Sequence, residues 1–141
     1  MDNKCHYTIY SSFLFATNTL VALYTHQYLY SYLFFILTIT SVTYHIEKNK
    51  IINKNEYIGI LDKTFVALVI IYGSYIYYNK INKDILMCIL VIITFLIAIF
   101  VHVYGYIIKD YSFHPDIIIS EKYHSILHIC SSIGHHIIIT M

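Results

Sequence analysis

Arginine and tryptophan are absent from this chain of 141 residues, and proline occurs once. Charged residues make up only 12% of it and balance to a net charge of +1. With so little net charge and no basic patch interleaved with aromatics, a nucleic-acid footprint is excluded. Cysteine is scarce too: Cys5, Cys88 and Cys130 are widely scattered, which fits neither a disulfide framework nor a C-x-x-C metal site. Cys88 and Cys130 fall in apolar runs and read as small core residues. Ile, Tyr, Asn and Lys are correspondingly abundant, a bias that points to a very AT-rich coding sequence and lowers the information carried by any single Tyr or Ile.

What the chain does have is apolar surface. It is 58% hydrophobic, its mean hydropathy is +0.63, and its charges cluster between long apolar runs. A water-soluble domain of this size could not hide that much apolar surface. Residues 1–141 therefore read as one transmembrane domain, all-α, with spans near 7–24, 28–46, 58–78, 85–108 and 117–140. Each is close to the roughly 20 residues that carry a helix across ~30 Å of hydrocarbon. Helices are expected despite the many β-branched residues, because backbone groups in lipid must be satisfied within the segment. The connections, 25–27, 47–57, 79–84 and 109–116, are short.

The first span is unusually polar, with Ser11, Ser12, Thr17, Asn18 and Thr19. Lys4 precedes it, but no small-x-small cleavage site follows, so it is read as a retained helix rather than a signal peptide. The last span carries Glu121, Lys122 and four histidines, and so must be shielded by its neighbours. Lys4, Lys48, Lys50, Lys54 and Lys109 fall on the N-terminal side, with Lys63 just inside, against Lys80 and Lys83 on the other. The positive-inside rule then predicts a cytosolic N-terminus and a multi-pass integral membrane protein.

Ionisable groups within membrane spans are functional candidates by default. With five alternating helices, the end of the second, the start of the third and the start of the fifth share one membrane face. That brings Ser41, His45, Asp62, His124 and His128 to a common depth. His124 and His128 are four residues apart, which stacks both imidazoles on one helix face. His45 is the natural third ligand from a facing helix. Three protein ligands with an open fourth position is the arrangement of a catalytic zinc, whose bound water has a pKa lowered to roughly 7. Asp62 then reads as the carboxylate that accepts a hydrogen bond from that water and serves as general base. Ser41, one turn before His45, could orient a substrate carbonyl or hold an oxyanion.

The pattern Ser41-Val-Thr-Tyr-His45, Leu61-Asp62-Lys-Thr-Phe and His124-Ser-Ile-Leu-His128 resembles the signature of the CREST superfamily. That group includes the alkaline ceramidases, the progestin and adipoQ receptors, lipid-remodelling hydrolases of GPI anchors and the myomaker proteins. The resemblance implies a transmembrane bundle holding Zn2+ through His45, His124 and His128, with Asp62 on the water and Ser41 as supporting hydroxyl. It implies hydrolysis of an amide or ester bond in a membrane lipid such as ceramide. The superfamily has seven core helices where this chain has room for five, and the shortfall lies between the Asp helix and the last. Losing a pair preserves parity, so the last helix still enters from the required face, and a homo-oligomer could replace the missing pair.

Other polar residues receive plainer readings. His102 is a hydrogen-bonding histidine before it is a ligand, His26 and His114 are solvated loop residues, and His135 continues the histidine stripe too deep to share the same metal. Tyr44 is an interfacial aromatic, Glu47 is wet, and Glu121 and Lys122 pair or snorkel. Asn18 bonds to another helix as packing glue. Two alternatives stand beside the hydrolase: a non-catalytic receptor-like or membrane-remodelling protein with structural zinc, and a haem-b protein using paired histidines.

Overall fold

The computed structural model describes residues 6–48, 56–80 and 84–141. Cys5 and the orientation lysines Lys4, Lys50, Lys54 and Lys83 lie outside the described residues. Within them the chain is all-α, with no strand. Its helices are α1 (Tyr7–Ser12), α2 (Leu14–Tyr24), α3 (Tyr28–Lys48), α4 (Glu56–Asn79), α5 (Ile85–Ile99), α6 (Gly105–Ile108) and α7 (Ile117–Thr140). They form five rods, because α1 and α2 meet at Phe13 and a π-helical turn, Phe100–Tyr104, joins α5 to α6.

Two serines directly precede the break at Phe13. Ser11 and Ser12 both turn their hydroxyls back onto the Thr8 carbonyl, at 3.1 and 2.7 Å. Such back-bonding competes with the helical ladder and bends helices. Elsewhere the same bond is what lets a polar helix sit among apolar neighbours. Thr17 bonds to the Leu14 carbonyl, Thr19 to Phe15, Thr38 to Phe34, Thr43 to Ile39 and Thr94 to Val91. A hydroxyl satisfied within its own helix needs no water.

Among the described residues three helices are long and apolar enough to cross a membrane: α3, α4, and the rod Ile85–Ile108. The last is the least buried, and its outward face is a nearly unbroken run of Ile, Leu, Met and Phe. Helix starts are set by aspartates. Asp84 accepts from the Leu86 and Met87 amides, and Asp116 from those of Ile118 and Ile119. Such an N-cap contributes about 1 kcal/mol. At the other end of α7, Gln27 Nε2 donates to the Ile139 carbonyl at 3.0 Å, tying the first turn to the last helix.

In the bundle α3 packs against α1, α2 and α4, while α7 packs against α1, α2 and α5 and touches α4. Among the described residues, no Cα of α5 comes within 8 Å of α4, although the two follow each other in the chain. The apolar core, which includes Phe15, Ala22, Tyr30, Phe34, Leu37, Val69, Val91, Ile138 and Ile139, occupies the middle of the bundle and the end nearest the start of α3. The opposite end buries Thr8, Ser11, Ser12, Ser41, His45, Asp62, Glu121 and His128. Packing has thus separated a dry end from a polar one.

Candidate metal centre

The polar end is assembled from four rods. His45 stands in the last turn of α3, whose residues Leu37, Ser41 and His45 recur every four positions along its buried face. Asp62 lies in the second turn of α4, and His124 and His128 on the first half of α7. His45 and His128 are buried and His124 half-buried, and one ring nitrogen from each lies within 4.8 Å of those of the other two. The ring centroids are 5.0 Å apart for His45–His124, 5.1 Å for His45–His128 and 5.0 Å for His124–His128. A tetrahedral zinc with Zn–N of about 2.0–2.1 Å needs nitrogens roughly 3.3–3.4 Å apart. The donors therefore stand at most about 1.5 Å wider than a tetrahedral site requires.

His45 tests the fit to a cation. It is 1% exposed, and neither Nδ1 nor Nε2 has a hydrogen-bond partner. A buried polar group left without a partner costs about 1–3 kcal/mol. Beside it are two other imidazoles, each able to offer a lone pair, and no hydroxyl or carbonyl bonds to the ring. A cation shared by the three rings satisfies this arrangement directly. Family models, curated proteins and solved structures yield no match to this chain.

Around the cluster the structure adds partners that sequence reasoning assigned otherwise or passed over. Ser41 is buried, and its hydroxyl lies 2.9 Å from that of Ser12 on α1. Ser11 Oγ lies 2.8 Å from His128 Nδ1, and Ser12 Oγ 3.4 Å from the same atom. The two serines that make the first span look too polar thus face the histidines. Their signal in the sequence was adjacency to Thr8 one turn back, which keeps three hydroxyls near one end of the first span.

Asp62 is buried, with Oδ1 unpartnered. Among the described residues no direct hydrogen bond joins it to the three histidines. Tyr44 is more than an interfacial aromatic: its ring lies 5.1 Å from that of His45 and covers Gly59, where an added Cβ would be 3.0 Å from Tyr44 Cε2. Gly59 is one turn before Asp62, so the Tyr44 ring seals the gap between α3 and α4 beside the cluster. Outside this seal a cavity of about 460 Å³ is lined by Tyr44, Glu47, Lys48, Glu56, Gly59, Ile60 and Lys63.

Glu121, expected to pair with Lys122 or snorkel, is instead 2% exposed. It precedes His124 by three residues and His128 by seven, so the helical stripe that carries the histidines carries Glu121 inward as well. His102 lies in the π-helical turn, exposed and against the Phe113 ring, and is not part of the cluster. His26 is exposed beside the Tyr28 hydroxyl. His114 is half-buried and accepts the Asp116 amide at 2.9 Å, a turn contact rather than a solvated ring. His135 belongs to a different environment, hydrogen-bonded through Nδ1 to the Tyr30 hydroxyl and ringed by Phe34 and Phe95. Cys88 and Cys130 are free and half-buried.

Proposed function

We propose that this protein is an integral-membrane zinc hydrolase of lipid amides or esters, in the manner of the CREST superfamily, with His45, His124 and His128 as ligands. The observation that carries the reading is the buried three-imidazole cluster in which both His45 nitrogens lack any other partner. His45, His124 and His128 would hold the zinc, which when bound would supply Lewis-acid polarisation of a carbonyl and a water whose pKa is lowered to about 7. The remaining work falls to the chain. Asp62, buried at the matching depth of α4, accepts the proton of the attacking water through its unpartnered Oδ1 and returns it to the leaving group. Ser41, held by Ser12, fixes the polar wall against which the scissile carbonyl is placed. The burial of the cluster excludes bulk water, which strengthens every charge interaction within it.

Membrane lipid reaches this depth without leaving the bilayer. The face of α4 not packed on α3 and the apolar face of α5 are both exposed, which suits contact with acyl chains. The cavity rimmed by Glu47, Lys48, Glu56 and Lys63 is suited to a polar headgroup. On this reading the chain crosses the membrane five times, with the N-terminus and the metal centre on the cytosolic side, following the lysine distribution.

A second reading, a non-catalytic membrane protein of the same build with structural zinc, is favoured by one feature: the Ser41 hydroxyl already has a protein partner. Two measurements separate the readings. Elemental analysis of detergent-purified protein should give about one zinc per chain, lost in His124→Ala/His128→Ala. Asp62→Asn should then keep the metal and lose turnover of lipid amides and esters by about 10²–10⁴-fold, the range of a general base. No metal in carefully handled wild type would sink both readings. Metal without turnover of any lipid amide or ester leaves the structural one.

A further inference from the structure

The first rod supplies no histidine to the cluster, yet among the described residues it makes the side-chain hydrogen bonds that reach one of the three rings. Ser11 Oγ is 2.8 Å from His128 Nδ1 and 3.1 Å from the Thr8 carbonyl, and a serine hydroxyl has a single proton. The Thr8 carbonyl can only accept, so Ser11 donates to it. Donation to Thr8 leaves the Ser11 oxygen to accept, and the partner that completes this arrangement is His128 with its proton on Nδ1. Ser12 repeats the geometry: it donates to the same carbonyl at 2.7 Å and has His128 Nδ1 at 3.4 Å. With Nδ1 protonated, the lone pair of neutral His128 is on Nε2.

We propose that Ser11, backed by Ser12, is a positioning residue of the metal centre: it fixes the tautomer and tilt of His128 so that Nε2 is the metal-binding atom. The proposal rests on the zinc reading above and deepens it. The physical reason is general, since a ligand imidazole is oriented and made more basic by whatever accepts its other N–H. The Thr8 carbonyl is the fixed point of this arrangement. It takes both serine hydroxyls on its second lone pair, at 3.1 and 2.7 Å, just before α1 ends at Ser12.

The test uses full-length protein in detergent, stripped of metal and titrated with zinc against a chelator of known affinity. Ser11→Ala should weaken zinc binding by about tenfold, at the low end for loss of such a partner, and Ser11→Thr, which keeps the hydroxyl, should restore it to within about threefold of wild type. A merely structural loss would not change the tautomer. Metal-free protein labelled with ¹⁵N in histidine, with His128→Gln to assign the signal, should show the Nδ1–H form for His128 in wild type and Ser11→Thr, and a mixture in Ser11→Ala. Zinc affinity and tautomer both unchanged in Ser11→Ala, with wild type binding zinc, overturn this proposal and leave the metal reading standing. A wild type that binds no zinc overturns the two together.

Discussion

Two histidines of α7 seven residues apart, His128 and His135, should respond oppositely to loss of their neighbours. His135 is 2% exposed and Tyr30 is 0% exposed, and the Tyr30 hydroxyl is the partner of His135 Nδ1. Their rings also meet edge to face at 5.8 Å, and Phe34 and Phe95 enclose the imidazole at 5.3 and 5.1 Å. Tyr30→Phe deletes one oxygen, leaves the rings packed, and strands a buried nitrogen. In water-soluble cores that costs about 1–3 kcal/mol. Between membrane helices the average hydrogen bond contributes about 0.6 kcal/mol and the largest about 1.7. We therefore expect Tyr30→Phe to lower unfolding stability by about 1–2 kcal/mol. Tyr30→Phe/His135→Phe should be no worse than Tyr30→Phe alone, because no polar atom is then stranded. The measurement is an unfolding titration in mixed micelles on all four members of the cycle, with zinc content determined on each. Zinc content should not move. Loss of zinc in His135→Phe would refute the division of the stripe into a metal end and a packing end.

Two further outcomes follow from the same geometry. A Cβ added at Gly134 would meet Thr94 Oγ1 at 2.5 Å and Phe95 Cε2 at 3.3 Å, so Gly134→Ala should push α5 off α7 and cost about 1–3 kcal/mol of stability, read by thermal unfolding in detergent, with zinc content retained. No change in stability would mean that the α5–α7 contact is looser than described. Zinc affinity should fall as pH is lowered, because each ligand must present a neutral imidazole and binding releases any protons held by the cluster. A chelator competition at several pH values checks this, and a pH-independent affinity would argue against histidine ligation.

The rods were legible in the sequence because lipid leaves the backbone few choices. Helices expected at 28–46, 58–78 and 117–140 appear as Tyr28–Lys48, Glu56–Asn79 and Ile117–Thr140, differing only by the one or two residues over which helix ends are ordinarily ambiguous, although Ile117–Thr140 is not among the helices apolar enough to cross a membrane. The convergence of His45, His124 and His128 was legible for the same reason: helix parity fixes depth, and the four-residue spacing fixes the face. Asn18 was read as interhelical glue and does donate to Ser132 Oγ, at 3.0 Å. Less legible was anything that depends on rotation of one rod against another. Glu121 could have faced water or protein on composition alone, and only the packing of α7 decides for protein. Ser11 and Ser12 read as a weakness of the first span, since nothing local says that their hydroxyls meet an imidazole 116 or more residues away. The break at Phe13 and the π-helical turn at Phe100–Tyr104 are likewise departures from an otherwise regular apolar pattern, which hydropathy does not register.

A single helix organises these parts. Along the buried stripe of α7, His128 meets Ser11, Ser132 meets Asn18, His135 meets Tyr30, and the Ile139 carbonyl meets Gln27. Each tie reaches a different level of the bundle, and each would be left as a polar group without its partner if α7 slid or turned. A one-residue slip rotates the stripe by about 100° and breaks all four at once. Register is therefore enforced by several modest bonds acting together rather than by one strong one. That answers how a helix carrying Glu121, Lys122 and four histidines can be held among apolar rods. It also explains why the cluster can be accurate without a ligand from the first rod: the same ties that fix the depth of α7 fix where His124 and His128 stand against His45.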